Sequence, residues 1–259
     1  MVTFTAYFDE SGTHDGAPVS VMAGFVGNAR QWLKFEKRAG RLFGRYRVDI
    51  FHTIDVRRGD ADFQGWTVDR KLKFLDELQH IANDTLLGGV TSVIRNEDYE
   101  YYSNLSRPTK ARHDSKYGIM FRGCMAHVVD VIGEIPIAHE PRLNIVLEDG
   151  HRNAADVSRI YKSVQDRLGP SASRLLSGLT FAAKGACLPL AAADLLAYSA
   201  FGQEVGQKPI GMLRAPSKSE ASYRGNLFRV DLNRDSLDSL HEQAMRFAEE
   251  RRGRNSTAK

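Results

Sequence analysis

The chain has 259 residues, 42% of them apolar and 26% charged, with 22 glycines and 8 prolines. These proportions exclude a collagen, a low-complexity polymer and a wholly disordered chain, and at about 150 residues per domain the length gives one large domain or two small ones. Lys and Arg outnumber Asp and Glu by 36 to 32 and the pI is near 9.0, a mild basicity that permits an anionic partner without requiring one. The two cysteines, Cys124 and Cys187, form neither a disulfide framework nor a cysteine zinc site, which fits a reducing cytosol.

Phe4, Ala6 and Phe8 alternate with Thr5, Tyr7 and Asp9, which predicts a strand ending on a carboxylate. The N-terminus reads as this strand and not as a signal peptide, because no basic region precedes a long apolar stretch. Residues 10–18 hold two Gly and a Pro and predict a loop. The apolar run 19–27 predicts a central strand, giving a hairpin. Residues 31–47 predict a helix with Trp32, Phe35, Ala39, Leu42, Phe43 and Tyr46 inside. Its outer face carries Lys34, Lys37, Arg38, Arg41 and Arg45, candidates for gripping a nucleic-acid backbone. An ordinary solvated helix face is the plainer reading of the same residues.

Residues 48–55 are short and apolar, with His52 and Asp55. A helix is predicted over 69–83 and a strand over 87–94. Residues 96–115 form a polar excursion with Tyr99, Tyr101 and Tyr102, residues that stack on unpaired bases or, more commonly, anchor a loop. A helix follows over 116–132. The strand 142–147 runs into Glu148-Asp149-Gly150, and Asn153 is placed to cap the next helix. Residues 175–183 predict a strand, and Pro189 opens a helix to about Val205. A polar loop with Lys208, Arg214, Lys218, Arg224 and Arg229 precedes a closing helix over 236–251. This order predicts an α/β fold with a mixed sheet flanked by helices. The expected organisation is one domain over 1–252, with insertions near 96–115 and 207–229 and a basic flexible tail at 253–259. The longest apolar run, 188–201, contains Asp194 and is shorter than the roughly 20 residues a membrane span needs. A cytoplasmic protein with no membrane partner is expected.

Asp194 stands in LPLAAADLLAYSAF, apolar on every helix face. An isolated carboxylate there costs several kcal/mol unless it is paired or binds a cation. A bond to Tyr198 or to a distant Arg is the bland alternative. Asp9, followed by Glu10, ends one strand, and Glu148 with Asp149 ends another. Ligands collect beyond the carboxyl ends of strands in α/β sheets. Three such acids converging on one spot repel unless a hard cation lies between them, and oxygen ligands favour Mg²⁺ or Mn²⁺. That equipment serves two-metal phosphodiester hydrolysis. Adjacent strand residues face opposite ways, so Glu10 is second to Asp9, and the sequence does not choose between Glu148 and Asp149. No Gly-rich phosphate loop and no Gly-x-Ser-x-Gly elbow occurs.

DESGTH after the first strand, FHTID in the middle and PLAAADLLAY near the end resemble the prokaryotic domain of unknown function 3800, over roughly residues 3–201. The resemblance implies a ribonuclease H-like fold and a metal-dependent nuclease-type site. Its acidic positions map onto Asp9 with Glu10, the acids at Glu148 and Asp149, and Asp194. Its histidine maps onto His52, which is auxiliary in that reading and equally well a core histidine bonded to the backbone. Members often carry Gln where Ala191 stands and Glu where Ser199 stands, a departure that implies less support for Asp194 and weak or lost catalysis. The leading expectation is a Mg²⁺- or Mn²⁺-dependent nuclease acting on DNA or RNA. The competing one is a nucleic-acid-binding or assembly module on the same fold. A two-carboxylate glycosidase ranks low for want of an aromatic platform. His14 and His151 follow the acidic strand ends and are candidate proton shuttles. The pair His113-Asp114 is too common a dipeptide to mark a phosphohydrolase.

Overall fold

A computed structural model describes residues 2–14, 16–108, 112–136, 140–167, 170–207 and 227–257, without the side chains of 170–172 and 251–257. Strands β1 (Val2–Ser11) and β2 (Val19–Asn28) form the expected hairpin. Helix α1 (Ala29–Tyr46) follows at once. Asn28 caps it by accepting the N–H of Gln31, whose side chain in turn accepts the N–H of Asn28. This reciprocal box starts the helix earlier than the apolar stripe alone indicates. After α2 (Thr53–Arg58) and α3 (Val68–Thr85) comes β3 (Gly88–Arg95). The excursion at 96–115 contains a helix, α4 (Asn96–Ser103), before α5 (Lys116–Glu134). Then come β4 (Pro141–Glu148), α6 (Ala154–Arg167), α7 (Pro170–Leu175), β5 (Leu176–Ala182) and α8 (Leu190–Glu204). Strand β6 (Leu227–Asp231), which no sequence pattern announced, leads into α9 (Arg234–Thr257). Helix α9 carries the backbone past the expected end at 251.

The six strands form one mixed sheet in the order β5-β4-β1-β2-β3-β6. Only β2 runs against the others, being antiparallel to both β1 and β3, whereas β4, β5 and β6 pair in parallel. The hairpin is tight at its centre. Phe8 pairs with Gly24, and a Cβ at Gly24 would lie 1.8 Å from the Tyr7 carbonyl oxygen. The closeness of the two backbones therefore requires glycine there.

Helices cover both faces, which is why β2 reads as a continuous apolar run rather than an alternating one. Residues of α1, α2, α3 and α8 pack on one face with Val21, Ala23 and Phe25. Residues of α4, α5, α6 and α9 pack on the other with Phe4, Ala6, Phe8, Leu143, Ile145 and Leu147. Tyr102 is fully buried there, Tyr101 donates to Asp238 at 2.8 Å and Tyr99 to the Asp114 carbonyl at 3.5 Å. These tyrosines anchor α4 rather than present rings for stacking. Arg229 lies in β6, 8% exposed, clamped between Glu204 at 2.6 Å and Asp231 at 2.7 Å. The other basic residues expected in the polar loop, Lys208, Arg214, Lys218 and Arg224, lie outside the described residues. No helix among the described residues is long and apolar enough to cross a membrane.

Candidate functional site

The carboxyl ends of β1 and β4 lie side by side. Phe8 pairs with Leu147 in parallel register, and both face the α5 layer. The next residue on each strand, Asp9 and Glu148, therefore faces the α8 layer. Strand parity thus separates Glu148 from Asp149. Asp149 lies beyond the strand, exposed, with its carboxylate accepting the N–H of Gly150 in the turn. Glu10 falls on the opposite face of β1 from Asp9, in electrostatic reach of Tyr117 and Glu148.

Helix α8 crosses β1 and β2 and carries Asp194 in its second turn, buried. Gly12, at the end of the DESG motif, makes this crossing possible. Its φ is +73°, and a Cβ there would stand 2.5 Å from both the Phe201 ring of α8 and the Val19 carbonyl oxygen. Two of the motifs singled out in the sequence, DESG and ADLLAYSAF, therefore meet at van der Waals contact. Tyr198 does not serve Asp194; its hydroxyl accepts from Arg57 at 3.4 Å. Ala191 is buried and apolar in its surroundings, and the support for Asp194 comes from other residues.

At the centre of the acids sits an ammonium. Lys184 opens a 3₁₀ turn, Lys184–Ala186, between β5 and α8. Its Nζ lies 2.8 Å from Asp9 Oδ2, 2.9 Å from Glu148 Oε2 and 2.6 Å from Asp194 Oδ2, and the side chain is 7% exposed. His52, directly before α2, places Nδ1 3.2 Å from the same Nζ and 3.7 Å from Asp194 Oδ2. The N–H of Thr53 donates to Asp194 Oδ1 at 3.1 Å. Asp55 lies in the first turn of α2. The structure thus brings together Asp9, Glu148, Asp194 and His52 from four parts of the chain around one point. Lys184 was not legible as a site residue: it is a lone Lys after a strand, and only the fold reveals its neighbours.

The electrostatics follow from burial and crowding. Burial, reinforced by the Asp194 charge, holds the Asp9 carboxyl well above the usual carboxylate range against the pull of Lys184. Burial also pushes Glu10 up to about 7, with Glu148 adding to the effect. Burial works in the same direction on Asp194, but the bonds from His52, Lys184 and Thr53 overcome it and hold that carboxyl below the usual range. His52 is raised, chiefly by its contact with Asp194. Lys184 is raised above the ordinary amine range: burial opposes its charge, and the Asp194 and Asp9 carboxylates outweigh burial. One buried cation thus faces several acids.

Hard carboxylate oxygens converging on one cationic point are the donor set that Mg²⁺ or Mn²⁺ takes. Asp9, Glu148 and Asp194 fit such an ion in donor chemistry. Among the described residues, no group of three His, Cys, Asp or Glu side chains stands in a metal-holding arrangement, and the convergence point carries the lysine.

The remaining histidines lie elsewhere. His151 stacks on Tyr117 with centroids 3.7 Å apart and accepts the N–H of Asn153. His14 is exposed, edge-on to Phe201. His113 meets the Tyr102 ring edge-on, and Asp114 beside it is held by Arg122 and Arg159. On α1, Arg38 pairs with Asp84 and Arg45 with Glu77, both from α3, while Lys34, Lys37 and Arg41 are exposed.

No family model matches the sequence, and no curated protein matches it. Among solved structures, the chain is similar to ribonuclease H2 from Pyrococcus horikoshii OT3, at 14% identity over 78% of this chain and 74% of that one, with a TM-score of 0.42. It is also similar to Bst-RNase HIII in complex with Mn²⁺, at 14% identity over 80% of this chain and 56% of that one, with a TM-score of 0.43. The fold itself is α/β with a mixed sheet: an antiparallel β1-β2-β3 meander extended in parallel by β4 and β5, with helices on both faces.

Proposed function

We propose that this chain is a nuclease-type phosphodiesterase whose Mg²⁺ or Mn²⁺ is held by Asp9, Glu148 and Asp194. The observation that carries the reading is the convergence of three carboxylate oxygens, from β1, β4 and α8, within 2.9 Å of a single atom. When bound, the metal supplies water activation and neutralises charge on the leaving oxygen. The chain's own residues define the rest. Thr53 N–H fixes the orientation of Asp194, and Glu10 N–H does the same for Asp9 at 2.8 Å. Glu148 and His52 form the open side, with side chains 26% and 37% exposed, and a phosphodiester reaches the acids from there. His52 lies where it orients Asp194 and exchanges protons with solvent. Of the five outer-face charges of α1, Lys34, Lys37 and Arg41 are available to a nucleic-acid backbone, since Arg38 and Arg45 already meet acids of α3. The resemblance to the domain of unknown function 3800 agrees with this reading.

The test is cleavage of single-stranded and double-stranded DNA, RNA and RNA–DNA hybrid, with Mg²⁺, with Mn²⁺ and with chelator. Metal-dependent cleavage that Asp194→Asn abolishes while circular dichroism stays native is the expected result. Metal binding without cleavage of any of these substrates contradicts catalysis. The Lys184 ammonium favours one second reading, a nucleic-acid-binding module in which the lysine has replaced the metal. Salt-sensitive, metal-independent nucleic-acid binding, with no heat of Mn²⁺ binding, selects it.

A further inference from the structure

Lys184 stands where the proposed function requires the divalent ion. Two of the three acids around it divide their oxygens in the same way. Asp9 turns Oδ1 to the N–H of Glu10 and Oδ2 to the lysine. Asp194 turns Oδ1 to the N–H of Thr53 and Oδ2 to the lysine. Backbone donors therefore orient both carboxylates without the lysine's help. Glu148 ends a strand paired on both sides, with β1 and with β5. A cup built this way keeps its shape when its cation changes. The lysine is carried differently, on a short turn between β5 and α8 whose next residues, Gly185 and Ala186, are exposed.

We infer that Lys184 is a displaceable counter-ion, which fills the carboxylate cup while no metal is bound and vacates it when Mg²⁺ or Mn²⁺ enters. The inference rests on the phosphodiesterase reading and adds a specific competition to it. A divalent ion of this kind takes oxygens at about 2.0–2.1 Å. An ammonium 2.6–2.9 Å from the same oxygens overlaps that position, so the two cations exclude each other. Metal affinity is then reduced by the fraction of molecules whose cup is open. The ammonium also offsets the mutual repulsion of the acids gathered at the strand ends.

The test compares wild type, Lys184→Met and Lys184→Gln by calorimetric Mn²⁺ titration and by melting with Mn²⁺ or chelator. Both variants are expected to bind Mn²⁺ on the order of tenfold more tightly than wild type, because the competitor is gone. In chelator both melt below wild type, since the acids lose their counter-ion. Added Mn²⁺ then raises their melting temperatures by more than it raises that of wild type. If Lys184→Met folds only with metal, that dependence is the same exchange of cations. Equal affinity in all three proteins, or weaker binding in the variants, overturns the displacement and leaves the metal centre standing. No binding by any of the three overturns the metal reading itself. Failure of Mn²⁺ to recover either variant also overturns the exchange.

Discussion

Replacing Glu10 by Gln isolates the electrostatic cost of the acids gathered at the end of β1. Glu10 Oε2 is buried and has no hydrogen-bond partner among the described residues. Burial, then the charge of Glu148, lifts the carboxyl from its ordinary 4.5 to about 7. The folded chain therefore holds this proton more tightly than the unfolded chain does. Below about pH 4.5 both states carry the proton and the group costs nothing. Between about pH 4.5 and 7 the folded state binds more protons, so stability falls as pH rises. Above about pH 7 both states are ionised and the penalty is complete, at about 3 kcal/mol for that gap. Urea unfolding in chelator at about pH 5 and about pH 8 measures it. Wild type is predicted to lose about 2–3 kcal/mol more than Glu10→Gln between the two conditions. Parallel pH dependence in the two proteins would show that the Glu10 carboxyl is solvated, and would refute the crowding described for this strand end.

Three further outcomes are expected. Asp194→Asn keeps an oxygen for Thr53 but loses the charge-assisted bond to Lys184, so urea unfolding should show a loss of about 1–3 kcal/mol; a neutral result places the carboxylate outside the ion-pair cluster. Gly12→Ala forces a Cβ into Phe201 and the Val19 carbonyl at a left-handed φ, and should cost about 2–4 kcal/mol; an unchanged melting temperature contradicts the close meeting of the loop with α8. Combined replacement of Lys34, Lys37 and Arg41 by Ala should weaken nucleic-acid binding and reduce the log–log salt slope by up to about 0.9 for each phosphate no longer neutralised. A slope equal to that of wild type assigns those side chains to solvent.

Strand β1, α1, α3, α5 and the β4–α6 unit were legible because their apolar spacing matches a period of two or of 3.6, and β2 because it is an unbroken apolar run. Strand β6 was not, because a five-residue strand at the sheet edge carries too few apolar positions to announce itself. Helix α4 was hidden for a related reason: in NEDYEYYS only Tyr102 is buried, so no stripe marks it. At the site, Asp194 stood out because a carboxylate in an apolar helix needs a partner. Asp9 and Glu148 could be placed at strand ends, but choosing Glu148 over Asp149 needed the parallel register with β1. Lys184 lay outside what the sequence reveals. Its role depends on three acids that are 175, 36 and 10 residues away in the chain, and nothing local in KGACLP marks it. The basic face of α1 illustrates the converse. Five like charges were visible in sequence, yet two of them are matched by Asp84 and Glu77 across the α1–α3 contact.

Anomalous scattering from crystals soaked in Mn²⁺ tests the cation cup most directly. One strong peak is expected at about 2.1 Å from oxygens of Asp9, Glu148 and Asp194, with the Lys184 ammonium moved out of that position. Fully soaked crystals that show the ammonium still bound to all three acids, and no manganese beside them, would contradict it.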